Sequence, residues 1–396
     1  MATAHSLPVT AEPTTTGGAR LLILLAAMPD EHLQEVYAQL GQVFSPSDVL
    51  IAAPETIAPS ANGSLRVITA PQSRPSWVLT AADFANAHEL AVAHSAEAVL
   101  LLGPEANTLQ PSTLTALADA VLTAPNDLAV PGYDLSPRAG LVNSAILFPV
   151  TRALFATRPR YPLAVDMAFS ARMAARMANA AQRFLRMNQG EAQLWPLNEA
   201  AVAGFTVTEV MAGPRKFAQP ADPDLNKILP LLAGSLFADV EAKAAFWQRP
   251  RQAPPARAMQ HQSQAADGAS DTAAMMQAFR LAYTNLQEIW SLVLPPNALL
   301  GLKRLSLLEA SDFRMPDNLW ARIVYDFLLA WRLRTINRGH LLGALVPLYL
   351  AWVASHFHTT ENGVTPEQHI EAVAAAFEAE KPYLVSRWRW PDRFNP

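Results

Sequence analysis

Asp166 is the one carboxylate in the apolar segment PLAVDMAFS, and it follows a basic turn made by Arg158, Pro159 and Arg160. An ionised carboxylate is costly to bury unless something pairs with it. Three readings follow: a group exposed at a cleft, a partner for a nearby arginine, or a residue with chemical work to do. A fourth is structural, an N-cap for the helix that AFSARMAARMANAA predicts from about Met167 onward. His356 and His358 in SHFHTT stand two apart, a spacing that does not bring them together on a helix, so they do not read as a metal pair. His340 opens the HLLGALVPLYL run, either as a polar helix start or as a cleft residue. The tail RWRWPDRF, Arg387 to Phe394, reads as a docking segment or as a tail folded onto its own domain.

The elements that must position these groups alternate. LLILLAAM from Arg20, DVLIAAP, LRVITAP, AVLLLG and DLAVPGY are short apolar runs of buried-strand length. Helical segments fall between them, at Pro29 to Gln42, Ser76 to His94 and Pro111 to Thr123. This alternation predicts an α/β layered domain with a mainly parallel sheet. Ligands of such sheets sit beyond the carboxyl ends of the strands, here Ala26 to Asp30, Ala53 to Thr56 and Gly103 to Thr108. Leu141 to Phe155, Ala168 to Arg186, LWPLNEAAVAGF and Ile228 to Trp247 read as further helices, and FTVTEVMAG as a strand. QRPRQAPPARAMQHQSQAADGASD has no apolar periodicity and reads as a linker. Beyond it Ala273 to Val293, Asp317 to Arg334, His340 to His356 and Pro366 to Glu380 are helical, the last with a capped start at Thr365. The expected organisation is a disordered tail (1–19), an α/β domain (20–248), a linker (249–271) and an all-helical domain (272–396).

Composition narrows the classes. With 51 % apolar and 16 % charged residues over 396 positions, a large core is affordable. A net charge of −4 argues against a nucleic-acid partner, which calls for a basic face. The absence of cysteine removes disulfides, thiolate metal sites and cysteine nucleophiles. MATAHSLPVTAEPTTTGGAR lacks the pattern of a signal peptide. LLGALVPLYLAWVAS, Leu341 to Ser355, is shorter than the ~20 residues that span a bilayer and contains Pro347, so it reads as a buried helix and not as a transmembrane segment. A cytoplasmic protein is the default expectation. No Gly-x-Gly-x-x-Gly follows the first strand, which sets aside a Rossmann-type nucleotide enzyme.

The stretch VNSAILFPVTRALFATRPRYPLAVDMAFS resembles the core of a bacterial glycosyltransferase group related to the glucosyl-3-phosphoglycerate and mannosylglycerate synthases. In that group a TRALYG-like helix runs into RQPIGGDFGFS; here the Asp and the Phe-Ser are present, and Ala164 and Val165 stand at the two glycines. DNLWARIVYDFLLAWRLR, HLLGALVPLYLAWVAS and FEAEKPYLVSRW are similar to the group's helical C-terminal extension. The resemblance implies a GT-A fold, a nucleotide-sugar donor, a small acceptor and Mg²⁺ or Mn²⁺ held by an Asp-x-Asp and a later His. By the same resemblance Asp166 is the catalytic, acceptor-side carboxylate. Ala26, Asp30, Glu55, Glu105, Arg160 and Lys216 stand on the nucleotide-sugar side, and Trp195 and His340 on the acceptor side. The departures from the group fall at the metal ligands: the first Asp position is Gly103, the second is Glu105, and the His position is Phe217. Gln193 stands where the group has an Asp before Trp195, and Pro54-Glu55-Thr56 where it has a base-binding turn.

Two functions remain open. One is a metal-poor glycosyltransferase that neutralises the leaving diphosphate with a cationic clamp drawn from Arg138, Arg158, Arg160, Arg215 and Lys216. The other is a pseudo-glycosyltransferase that keeps the fold and serves, with a protein partner, as a binding or scaffold subunit. Homo-oligomerisation is compatible with both.

Overall fold

The computed structural model describes residues 19–26, 28–54, 65–71, 76–163, 165–215, 224–249 and 271–390. The expected tail and linker lie, apart from their borders, outside these residues, as do Glu55, Lys216 and Phe217.

The first half runs β1 (Leu21–Leu25), α1 (Asp30–Val43), β2 (Val49–Ala53), β3 (Arg66–Thr69), α2 (Ala81–Ala93), β4 (Ala98–Leu102), α3 (Pro111–Leu122) and β5 (Leu128–Asp134). It continues with a wide π-type turn at Asn143–Leu147, then α4 (Phe148–Phe155), β6 (Asp166–Ser170), α5 (Ala171–Leu185), α6 (Pro196–Ala203), β7 (Val207–Pro214), α7 (Leu225–Ala242) and the short α8 (Ala244–Trp247). The strands form one seven-stranded sheet in the order β3-β2-β1-β4-β6-β5-β7. All neighbours are parallel except β6, which runs antiparallel to both β4 and β5. This is the α/β layering that the GT-A resemblance implies, with the mainly parallel sheet expected and one reversed strand, β6, within it.

Both faces of the central strands are covered, so LLILL and AVLLL are buried throughout. Their side chains alternate between two cores. Leu22, Leu24, Val99 and Leu101 meet the α2 and α5 side, whereas Leu21, Ile23, Leu25 and Leu100 meet the α1 and α3 side.

The second half is helical: α9 (Thr272–Asn285), α10 (Gln287–Val293), α11 (Pro296–Leu307), α12 (Asp317–Leu333), α13 (Arg338–Glu361) and α14 (Pro366–Arg389). The Thr365 start is a capping box. Its hydroxyl accepts the Gln368 N–H at 3.3 Å, and the Gln368 side chain accepts the Thr365 N–H at 3.0 Å. α13 is longer than LLGALVPLYLAWVAS suggests, and it passes through Pro347 without ending. Over its 24 residues it is long and apolar enough to cross a membrane, but 78 % of its apolar window is buried inside the protein. A third core joins the halves. It holds Leu147, Leu154, Leu236 and Trp247 together with Trp290, Trp320, Leu345 and Trp388. The Trp320 indole N–H donates to the Ala145 carbonyl at 2.8 Å inside the wide turn.

Candidate functional site

β6 decides what meets at the carboxyl edge of the sheet. Because it runs against its neighbours, its first residue lies where theirs end, and the register pairs Asp166 with Leu102 at the end of β4. Tyr133 is the last residue but one of β5, and Arg215 directly follows β7. Four strand ends thus bring Gly103, Tyr133, Asp166 and Arg215 together.

Asp166 and Arg215 form a fully buried ion pair with both side chains at 0 % exposure. Arg215 Nε donates to Asp166 Oδ2 at 3.0 Å and Nη2 to Oδ1 at 3.2 Å. Gly103 N–H donates to Oδ1 at 3.1 Å, and the Tyr133 hydroxyl to Oδ2 at 2.8 Å. Each carboxylate oxygen thereby takes two hydrogen bonds, which fills its acceptor sites. The other Arg215 N–H groups reach the Pro104 carbonyl at 2.8 Å, the Thr108 hydroxyl at 3.0 Å and the Glu105 carbonyl. All five guanidinium protons are engaged. Burial works against the charged guanidinium, but Asp166 outweighs it and raises the Arg215 pKa. Tyr133 is pushed well above its usual range, by burial first and by the Asp166 charge second.

This geometry corrects two expectations. Asp166 is neither a helix cap nor a carboxylate open to an acceptor, since it starts a strand and has no lone pair left. The cap of the following helix is Ser170, whose hydroxyl accepts the Met173 N–H at 3.3 Å. Arg215 is likewise not available to a diphosphate, because every N–H it owns is spent on the protein.

The Gly103–Glu105 loop does not fit Mg²⁺ or Mn²⁺. A Cβ at position 103 would sit 2.5 Å from the Val165 carbonyl oxygen, so no carboxylate side chain has room there. The Arg215 guanidinium bonds the carbonyls of Pro104 and Glu105, and it places positive charge where a metal would need negative. Glu105 takes a left-handed conformation (φ 63°) and keeps its carboxylate 28 % exposed, 3.9 Å from His32 Nδ1 at the start of α1. Among the described residues no group of three or more His, Asp or Glu side chains is placed to hold a metal ion.

The remaining candidates scatter. Ala26 is buried and spends its N–H on the Leu102 carbonyl at 2.8 Å. Asp30 is an exposed first-turn residue of α1. Trp195 is a core residue at the start of α6. His340 is exposed in the first turn of α13, which Asn337 caps, so it is a polar helix start and not an acceptor-side group. Gln193 accepts from the Ser235 hydroxyl at 2.8 Å. Trp388, in the last turn of α14, is buried edge-on against Trp247 at 4.9 Å, and Trp390 is exposed; residues 391–394 of the expected docking or folded-back tail lie outside the described residues.

The basic turn is also spent internally. Arg160 is 3 % exposed; its backbone N–H meets Glu209 at 2.8 Å, its Nε meets Glu367 at 3.3 Å and its Nη2 meets Ser144 at 3.0 Å. Arg152 makes a two-bond contact with Glu378, at 3.1 and 3.2 Å, and a further one with Glu371. Arg158 lies 3.9 Å from Glu378, and the Arg138 guanidinium stands 5.8 Å from the Phe357 ring centre. Three of the cations expected to clamp a leaving group, Arg138, Arg158 and Arg160, thus each reach α13 or α14 instead, as does Arg152.

Sequence reasoning missed Tyr133, His32, Glu209 and His369. Tyr133 carried a signal, as the polar residue at the end of a strand. Glu209 carried another, as the lone carboxylate of FTVTEVMAG. His369 carried none, because its partner is 13 residues away on another helix.

No protein-family model matches the sequence. No curated protein matches it either. Among solved structures the chain is similar to glucosyl-3-phosphoglycerate synthase from Mycobacterium tuberculosis in complex with phosphoglyceric acid, at 16 % identity and TM-score 0.35, over 56 % of this chain and 80 % of that one. The same enzyme with Mn²⁺, UDP and glucosyl-3-phosphoglycerate gives 15 % identity and TM-score 0.37, over 59 % of this chain and 82 % of that one. A further mycobacterial protein gives 13 % identity and TM-score 0.36, over 59 % of this chain and 76 % of that one. At such values the likeness concerns the fold alone.

Proposed function

We propose that this chain is a glycosyltransferase-fold protein that has given up sugar transfer and serves as a binding or scaffold subunit. The observation that carries this reading is the Arg215 guanidinium, seated between the Gly103–Glu105 loop and Asp166 with all five protons engaged. Transfer from a nucleotide sugar needs charge neutralisation at the leaving diphosphate by a metal or by free cationic donors. The loop has no room for a first carboxylate, and its cation is committed to the protein. The sequence resemblance supports the ancestry, and its departures at Gly103 and Glu105 fall in this same loop.

Calorimetric titration of the purified protein with UDP, GDP and their glucose and mannose adducts, each with and without Mn²⁺, tests the proposal. The expected result is no heat of binding. Binding strengthened by Mn²⁺ would overturn it.

A second reading rests on Glu105 and His32, a partly exposed carboxylate and imidazole 3.9 Å apart beyond the end of β4. They are the pair able to take a proton from an acceptor hydroxyl in a metal-independent transferase. Binding of a nucleotide sugar without metal, together with turnover lost in Glu105→Gln, would favour it.

A further inference from the structure

A groove of about 460 Å³ lies where α7 meets the end of α5, α12 and α13. That volume lies within the ~300–1,000 Å³ of small-molecule sites. One row of α7 lines it throughout. Pro230, Gly234, Ala238 and Ala242 recur every four residues, so they follow one another over about 18 Å of helix, and none carries a long side chain. Phe184 and Leu194 come from the α/β half, and Trp331 and Leu342 from the helical half. Met187 and Leu231 line the same groove and are 58 % and 51 % exposed, apolar area that an apolar occupant would take out of water. None of Gly103, Tyr133, Asp166 and Arg215 lines it, so it is distinct from the site at the strand ends.

The polar side chains of the lining differ in what holds them. Glu199 and Asp239 are closed by protein partners. Lys243 Nζ reaches Glu199 at 2.8 Å and also Asp239, Arg176 takes Glu199 at 2.7 Å, and the Asn198 amide takes Asp239 at 2.9 Å. Glu191 is engaged as well. Two donors are left over. Arg183 is exposed and has neither an ion pair nor a hydrogen bond among the described residues. Gln193 is 8 % exposed; its Oε1 accepts from the Ser235 hydroxyl at 2.8 Å, and its Nε2 donates to no described residue. That nitrogen is not sealed, in contrast to the Trp331 indole N–H of the same lining, which is unpaired and shut off from solvent.

We propose that this groove binds a free carboxylic acid with an extended apolar chain. The chain lies along the small-residue row of α7, against Phe184, Leu194 and Leu342 and under Met187 and Leu231. The carboxylate accepts from Gln193 Nε2 and from the Arg183 guanidinium, the two donors of the lining that the protein leaves unused. An alcohol of the same chain has no charge for Arg183 to answer, and an ammonium head would face a cation, so both are held more weakly.

The test uses the full chain, ¹³C-methyl spectra of its methionines and leucines, and decanoate as the probe. Decanol, decylammonium and acetate serve as comparators, all below micelle-forming concentrations. The expected result is a saturable shift of the Met187, Leu194, Leu231 and Leu342 methyls with decanoate, at least tenfold weaker with each comparator. Arg183→Gln should weaken decanoate about tenfold and leave decanol unchanged. Ala238→Trp should abolish the shifts by filling the groove, with Ala242→Trp as the substitute should that variant fail to fold. Decanol or decylammonium binding as tightly as decanoate would overturn the proposal, since the groove would then read no head group. So would the absence of saturable shifts with decanoate, an unchanged decanoate affinity in Arg183→Gln, or shifts that survive a folded groove-filling variant.

Discussion

The Nδ1 atoms of His356 and His369 lie 2.7 Å apart, and their rings stack at 4.9 Å between centres. One of the two nitrogens must carry the proton. His369 Nε2 stands 3.2 Å from Asp317 Oδ1, and a carboxylate only accepts, so that nitrogen is the donor. In the neutral ring Nδ1 of His369 is then an acceptor, and His356 donates from Nδ1. His356 Nε2 is left bare and buried, with no partner among the described residues. Burial, then the charges of His369 and Arg160, hold the His356 pKa down to about 3.

His356 is therefore expected to stay neutral from pH 8 down to pH 4. Histidine ¹⁵N chemical shifts followed across that range check this; a transition near pH 6 at His356 would refute it. The stability consequence has a definite sign. The unfolded chain takes up this proton below about pH 6.5, while the folded chain refuses it until about pH 3. The contribution of His356 to stability thus falls as pH drops through that window.

The Asp166–Arg215 pair gives a prediction about stability rather than turnover. Arg215→Met leaves a buried carboxylate with one charge partner gone, a loss of about 3–5 kcal/mol. Asp166→Asn leaves the guanidinium stranded and should cost a similar amount. The double variant should recover most of the loss, because neither charge is then left alone. Urea unfolding of the four proteins measures the coupling. Additive single losses would show that the two side chains do not act as a pair.

Glu209 should make the chain less stable as pH rises. Burial pushes its pKa up to about 7 in the folded state, against the pull of the Arg160 N–H and guanidinium, with Glu367 and Glu371 adding to the rise. Between about pH 4.5 and 7 the unfolded chain has lost this proton and the folded chain still holds it, so stability falls across that window. Glu209→Gln keeps an acceptor for the Arg160 N–H and removes the ionisation. Its melting temperature should gain on the natural chain between pH 5 and pH 8, and a constant difference would exclude the effect.

Much of the fold was legible, and its one misread strand decided the site. The apolar strands β1, β2, β4 and β5, the helix from Pro111 and the capped start at Thr365 lie close to where pattern and capping chemistry put them. DMAFS was read as the beginning of a helix. It holds no β-branched residue, and its strand exists because β4 and β5 offer free edges on either side. Ser170 was one residue type away from notice, a serine just before ARMAARM. Pairing with an arginine was among the readings for Asp166, but Arg215 lies 49 residues downstream, and only the sheet topology brings it near. α11 was missed between Val293 and Asp317, although Pro296 at its first position is a helix-start signal.

The wide turn at Asn143–Leu147 has a consequence for the whole chain. Its Phe148 N–H reaches back five residues to the Asn143 carbonyl, so it holds one residue more than an α-helical turn of the same kind. An extra residue in a helix either turns all that follows by about 100° or is taken up in a widened turn. Here the wide turn takes it up, so Arg152 keeps its phase toward Glu371 and Glu378. Removing one residue from Asn143–Leu147 would restore an ordinary α-helical turn and leave that clasp close to its place. The same deletion between Phe148 and Arg152 would swing the arginine off its partners, although every side chain in the clasp would be unchanged.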